Sequence, residues 1–339
     1  MSLFGRMPYY ADKTASLREI FGAKDITIGE DFIVVDGRRY PVVDDVIILL
    51  DPARYPPSLR RRLHRGDNGT DAPGEDFSAE VQLSFSDEWQ TFSSILAEHQ
   101  DEFGQYFDLV DTVSLANARV CDLGCGIGRW SYHLTGKCRE IVAVDFSDAI
   151  FVARRNLRHA DNTLFFMGDL RRLPFGADFC DFLFCIGVLH HLPTDCLDEV
   201  RKLGKYAPRL LIYLYYALDN RPFHFRLLFR MADSLRRAVS GVQNRRFRGA
   251  FTVTLAIIGY YPFILLGGLL EPFKLARWVP LWEFYHHKGF ERVRQDVYDR
   301  FFTPIEQRVS RAQIMGLDDS FSRVSVSDRI PLWHFLCER

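Results

Sequence analysis

The chain of 339 residues lacks most of the signals that settle a function at sight. No charge dominates: 43 lysines and arginines stand against 44 acids, a formal net of −1. There is thus no global pull towards nucleic acid or an anionic membrane. The seven cysteines (Cys121, Cys125, Cys138, Cys180, Cys185, Cys196, Cys337) include no C-x-x-C pair. Several fall inside apolar runs, so they read as small core residues in a reducing cytoplasm. Met1 to Tyr10 has no uninterrupted apolar core, which argues against a secretory signal. No histidine-rich or carboxylate cluster reads as a metal site, so the expected metal is none. What remains is an ordinary globular composition, 47% hydrophobic and 26% charged, in a chain longer than one typical domain.

The stretch that organises the rest is Val120-Cys-Asp-Leu-Gly-Cys-Gly-Ile-Gly-Arg-Trp130. An apolar strand ends in Asp122, and glycines follow at 124, 126 and 128 before a helical segment. Glycines at a strand-to-helix turn let the backbone approach a ligand and adopt φ values that side chains forbid. The helix start behind them offers unpaired N–H groups and a positive dipole end. A dinucleotide fold wants G-x-G-x-x-G, but Gly128 comes one place early and Arg129 stands where the third glycine belongs. No Gly-Lys-Ser/Thr follows, which excludes a P-loop.

Four further apolar runs succeed it. Glu140-Ile-Val-Ala-Val-Asp145 ends in an acid seventeen residues after Gly128, followed by Phe146 and Ser147 and then a helix to His159. Thr163 to Asp169 ends in another acid, with Leu170 behind it. Asp181-Phe-Leu-Phe-Cys-Ile-Gly-Val-Leu-His-His-Leu192 is a strand and turn, and Arg209 to Tyr216 is a fifth strand. These pieces, in this order, resemble the class I S-adenosylmethionine-dependent methyltransferases, over roughly residues 77–339. The resemblance implies an α/β, Rossmann-like, seven-stranded sheet. It implies that S-adenosyl-L-methionine binds at Asp122, Gly124, Cys125, Gly126 and Gly128, leaving S-adenosyl-L-homocysteine as product. Asp145 would meet the ribose, with Phe146 behind it also in the cofactor site, Asp169 and Leu170 the adenine, and Cys185 and Ile186 the methionyl portion. Phe85, Trp89 and Phe92 recur at helical spacing, and in relatives such an aromatic helix closes over the methionine half, which makes Trp89 a cofactor candidate.

The parts around this core read less directly. Residues 1–53 are expected to form a small β-rich unit of their own, with a hairpin at Asp36-Gly37. It resembles the zinc-ribbon activator of certain tRNA and release-factor methyltransferases, without any of the cysteines. Residues 54–76, with Pro56-Pro57 and the basic run Arg60 to Arg65, read as a solvated linker. The core is then 77–217 and 318–339, and a helical lid or substrate insert occupies 218–317. Arg221 to Arg248 carries eight arginines against one acid, Asp233, in an amphipathic pattern suited to an anionic substrate or an acidic membrane surface. Phe251 to Leu270 has no charge for twenty residues, a length that tests as a transmembrane helix. Gly259, Pro262, Gly267 and Gly268 interrupt it, so two short buried helices joined near Pro262 are expected. Ser310 with Gln313 three residues on is a helix-start signature.

For catalysis, His190 and His191 are the candidate proton acceptors, because imidazole titrates in the useful range; Tyr215 is a candidate for orienting the substrate. Cys185-Ile-Gly-Val stands where DNA-amine and glutamine methyltransferases of the family carry Asn-Pro-Pro-Tyr or Asp-Pro-Pro-Tyr, which argues against that chemistry and against DNA. The expected function is methyl transfer to oxygen or nitrogen of a small molecule or glycan intermediate, anionic or lipid-linked, in the cytoplasm with contact to a membrane surface through the apolar insert. The alternatives are an RNA- or protein-directed methyltransferase, for which only the arginines of 221–248 speak, and a non-catalytic scaffold. Oligomeric state has no signal in the sequence.

Overall fold

The computed structural model describes residues 9–63, 78–329 and 333–339. Two compact units divide the chain: Met1–Ala217 with Gln307–Arg339, and Leu218–Glu306. The first is organised on one eleven-stranded sheet. Its central strands are β5 (Arg119–Leu123), β6 (Glu140–Asp145), β7 (Thr163–Met167), β8 (Phe182–Ile186) and β9 (Arg209–Leu214). All five run parallel in the order β7-β6-β5-β8-β9. Nearly every residue in them is buried, as a sheet covered on both faces requires. β11 (Trp333–Glu338) then runs antiparallel to β9, with Phe335 opposite Ile212, and β10 (Arg323–Val326) antiparallel to β11. These seven strands are the expected Rossmann-like sheet. Strand order reverses between β5 and β8, which opens a crevice at the carboxyl ends of the strands.

The amino-terminal strands are not a unit of their own. β1 (Ile26–Ile28), β2 (Phe32–Val35), β3 (Arg38–Val43) and β4 (Val46–Ile48) form an antiparallel series that continues the same sheet beyond β7. Their turns need φ above zero at both central residues, and both have it: Asp36 (44°) with Gly37 (83°), and Asp44 (49°) with Asp45 (63°). β4 pairs in parallel with β7, Val46 to Phe165 and Ile48 to Met167, and all three of its residues are buried. The helix Thr14–Phe21 buries Leu17, Ile20 and Phe21, and Phe21 packs edge-on against Phe166 and Phe175. From the same helix, Glu19 accepts a 2.6 Å bond from Arg119 of β5. The hairpin signal was local and read correctly as strands; the long-range pairing that makes them part of the core has no local signal.

Two expected boundaries also move. Residues 54–63 are not solvated tether: Arg54 is buried and Pro57–Arg62 is helical. The remainder of the expected linker, from His64, lies outside the described residues. At the other end, residues 307–317 belong to the first unit. Gln307 N–H donates to His190 O at 2.8 Å, Val309 bridges Tyr216, and Ser310 with Gln313 makes the capping box of the helix Arg311–Met315.

The second unit is helical. Phe290–Phe302 is its buried spine, carrying Val293, Val297, Tyr298, Phe301 and Phe302, and the helices Phe223–Val239 and Arg245–Leu255 pack on it. Arg248 donates to Tyr298 Oη at 3.1 Å, and Phe251 meets Phe301 and Phe302 with ring centroids 5.6 and 5.4 Å apart. A π-helical turn, Ala256–Tyr260, leads into Tyr261–Leu270. Gly267 allows the close approach of Trp282, whose ring would lie 2.5 Å from an added Cβ. The expected pair of short buried helices is therefore corrected in one respect. The run passes through Pro262 directly after the π-helical turn Ala256–Tyr260, where the regular i to i−4 ladder is already interrupted. Its outer face is not buried: Ile257, Ile258, Leu265 and Leu269 are 52–70% exposed.

Candidate active site

A cavity lies at the carboxyl ends of the central strands of the first unit. The ends of β6 and β8 and the loops after β5, β6, β7 and β8 contribute Gly124, Cys125, Gly126, Asp145, Phe146, Asp169, Leu170, Ile186 and His191. The helix Ala79–Thr91 supplies the remaining wall through Val81, Phe85 and Trp89, one face at four-residue spacing. Phe92 falls at the end of that helix and is not on the wall. Gln82 fixes the helix by donating to Phe146 O at 2.7 Å and Arg54 O at 3.2 Å, and Ser86 Oγ accepts from Asp148 N–H at 3.2 Å.

The glycine turn works by shape more than by free donors. Gly124 has φ +80°, and a Cβ there would lie 2.4 Å from a Val188 methyl. Gly126, at φ +54°, lies against the Trp89 indole, 3.2 Å from where its Cβ would be. The N–H groups of Gly124 and Cys125 donate to Val144 O, Gly128 N–H to Cys125 O, and Gly126 N–H to Asp145 Oδ2 at 3.0 Å. These donors are thus spent inside the turn, and the helix behind, Arg129–Leu134, is only six residues long. The Arg129 guanidinium lies between the Trp89 and Trp130 rings, 5.1 and 4.5 Å from their centroids.

The carboxylates have distinct settings. Asp122 is not on the cavity wall; it is buried, accepts from Ser131 Oγ at 2.6 Å, and burial pushes its carboxyl up to about 7 against that hydroxyl's pull. Asp145 does face the cavity, with Oδ1 taking both Ser147 N–H and Ser147 Oγ–H at 2.8 and 2.7 Å. Burial raises its carboxyl above the usual range while those donors oppose the shift. Asp169 faces the cavity as well, but Arg54 and Arg171 hold it in buried ion pairs at 2.8 and 3.0 Å. Arg171 itself lines the cavity. Neither arginine has a signal in the sequence, because a charged residue beside prolines or after a strand reads as solvated surface.

The catalytic candidates separate. His191 lines the cavity, 5.3 Å from the Phe85 ring. His190 and Tyr215 do not line it; they stack on each other with centroids 3.8 Å apart. Burial drives the His190 imidazole well below its ordinary range, with His191 and Arg308 adding to the effect, so it is neutral at pH 7. Gln307 brackets the loop that carries both histidines, donating to Leu192 O and Thr194 O and accepting from Cys196 N–H. Gly128 and Cys185 also lie off the cavity wall. Cys185 is fully buried and its thiol is pushed well up by desolvation, which leaves it inert packing. Among the described residues no group of three or more His, Cys, Asp or Glu is placed to hold a metal ion.

Residues 120–205 match the family model for a methyltransferase domain. This part of the chain is a methyltransferase domain. The chain is similar to a 23S rRNA (uracil(1939)-C(5))-methyltransferase of Pseudomonas fluorescens, 33% identical over 103 residues that make up 29% of this chain and 23% of that protein. It is also similar to a demethylmenaquinone methyltransferase of Clavibacter sepedonicus, 28% identical over 123 residues, 35% of this chain and 50% of that protein. The chain thus spans between about a quarter and a half of the length of these curated relatives. Among solved structures, a magnesium protoporphyrin IX methyltransferase from Synechocystis matches 76% of this chain and 96% of that one, at 17% identity and a TM-score of 0.43. A mitomycin 7-O-methyltransferase matches 77% of this chain and 61% of that one, at 15% identity and a TM-score of 0.44.

Proposed function

We propose that the protein binds S-adenosyl-L-methionine in the cavity between β5–β8 and the helix Ala79–Thr91 and methylates an oxygen or nitrogen of a small molecule or glycan intermediate. The observation that carries this reading is the convergence in one cavity of Gly124, Gly126, Asp145, Asp169 and His191. The residues fit the cofactor: the two glycines let Val188 and Trp89 close on the turn, the wall is mostly apolar, and an aspartate stands at the end of β6 for a ribose diol. When bound, the sulfonium supplies an electrophilic methyl group and a neutral thioether leaving group. The chain's own part is to aim that methyl, keep water out and accept a proton from the nucleophile. Trp89 and Phe85 screen the site, and His191 is the proton acceptor. His190 is the positioning residue behind it, held by the Tyr215 stack and the Gln307 bonds.

An anionic or lipid-linked acceptor suits the arginine-rich second unit, and contact with a membrane surface belongs there too. The cytoplasm is the compartment we assign, supported by seven cysteines that are all buried free thiols. A second reading, an RNA- or protein-directed methyltransferase, draws its support from the arginines of 221–248 and predicts strongly salt-dependent RNA binding.

The experiment is calorimetric titration of the full chain with S-adenosyl-L-homocysteine, beside Asp145→Ala. We expect binding by the wild type and a weakening of roughly tenfold or more in the variant, the loss of about one charged hydrogen bond. A folded wild type that binds nothing would overturn the enzyme reading in favour of a scaffold.

A further inference from the structure

Residues 218–306 contain fourteen arginines and lysines against eight acids, a formal charge of +6, in a chain whose net is −1. The same segment holds thirteen of the seventeen exposed large apolar side chains among the described residues. Soluble surfaces rarely gather apolar groups in this way without a partner for them. The combination of charge and apolar exposure on the same helices identifies the partner.

Along Phe223–Val239, Phe223, Leu227, Met231 and Leu235 are 40–65% exposed. At about 100° per residue, these four fan over about 120° of the helix surface. Arg226, Arg230 and Arg237, all exposed, fall in an arc of about 40° directly beside that stripe. The helical run Arg245–Phe273 repeats the pattern on a larger scale. It has 29 residues, apolar and long enough by composition to cross a bilayer, yet only 17% of its most apolar window is buried. Its burial is one-sided: Arg248, Thr252, Ala256, Tyr260 and Gly267 face inward, while Ile257, Ile258, Leu265 and Leu269 face out. Exposed arginines 245 and 246 stand at its start, and Lys274 and Arg277 just past its end, where Trp278 is half exposed under the Arg277 guanidinium.

We infer that residues 223–278 are a monotopic docking surface for an anionic lipid bilayer, lying in the plane of the membrane with the aliphatic faces in the acyl boundary and the arginines among the headgroups. A spanning helix is disfavoured, because the inner face is already occupied by the helix Phe290–Phe302 and Trp282. A second copy of the chain would bring two +6 surfaces together. Nucleic acid has no use for exposed isoleucine and leucine. Anionic lipid satisfies both halves of the pattern, since basic residues gain from a negative leaflet and aliphatic ones from its interior. The inference deepens the membrane contact assigned above and is independent of methyl transfer.

The test is flotation of the full chain with vesicles of phosphatidylcholine alone and of phosphatidylcholine with about a third phosphatidylglycerol. The wild type should float with the anionic vesicles, roughly tenfold better than with the neutral ones, and high salt should weaken the binding without abolishing it. Leu265→Glu with Leu269→Glu should lower it roughly tenfold or more, and Arg226→Gln with Arg230→Gln should remove several-fold of the anionic preference. Each pair changes exposed side chains only, so melting temperature and S-adenosyl-L-homocysteine affinity should match the wild type. Wild-type protein that stays off both kinds of vesicle overturns the inference, and so does flotation unchanged by the two glutamates. Self-association or RNA binding that is lost in those variants, with no vesicle binding, assigns the surface to that partner instead. Lost cofactor binding with intact flotation sinks the methyl-transfer reading alone.

Discussion

The segment 218–306 carries +6 formal charges and thirteen exposed large apolar side chains, whereas the other 250 residues carry −7 and, among those described, four. In the first unit, charge is drawn inward and paired: Asp169 with Arg54 and Arg171, and Arg119 with Glu140 and Glu19. In the second, much of it is held outward beside aliphatic side chains. A buried charge needs a partner inside the protein, and an outward one is available to a partner outside it. On the readings proposed above, the contrast separates a part that holds a ligand from a part that meets a surface.

Substitutions can break that division from either side. The largest effect should come from His191→Asn, which we expect to lower kcat about a hundredfold while S-adenosyl-L-homocysteine affinity stays within about twofold; an unaltered turnover in a methyl-transfer assay would remove this histidine from the chemistry. Arg54→Met should come next. It leaves the buried Asp169 with Arg171 alone, at a cost of about 1–3 kcal/mol, and calorimetric melting should show that loss in the first unit, with weaker cofactor binding. In the second unit, Gly267→Ala drives a methyl into the Trp282 ring, for about 1–3 kcal/mol of overpacking. If the units unfold separately, only the second transition moves; a shift in both would show them to be one cooperative block.

Asp122→Asn reads out through pH. The folded-state pKa of Asp122 is raised to about 7 from an ordinary 3.8, so the native state holds a proton that the unfolded chain releases. Stability attributable to this group is therefore full below about 4 and is lost as pH rises through 7. The asparagine variant has no proton to lose. Its melting temperature, measured relative to wild type, should climb across that window.

The central strands were legible in the sequence because a strand covered on both faces reads as a near-continuous apolar run, and β5 to β8 do so between the charged or polar residues at or near their ends. The glycine turn was legible because Gly124 and Gly126 occupy positions that reject a Cβ. Asp122 misled for a physical reason. It precedes the turn just as a ligand-binding acid would, but the strand's pleat points it at Ser131 behind the wall. Arg54 and Arg171 were silent because their partner, Asp169, is fixed by the fold and not by spacing along the chain. The apolar run 251–270 gave its length and composition but not its exposure, since the same letters serve a core helix and a helix that meets lipid.

The parallel pairing of β4 with β7 also sets the order in which the molecule can be made. Val46 meets Phe165, and Ile48 meets Met167, across more than a hundred residues of intervening chain. Such a contact closes a long loop, and its entropic cost is recovered only once the partner strand is seated. During synthesis, β1 to β4 leave the ribosome first but have no edge to join until β7 has followed and paired with β6. These strands are made before their partner and thus dock after it. Until then their apolar strand edge is open to any other chain nearby, and the time for which β4 waits is a window of vulnerability to misassembly.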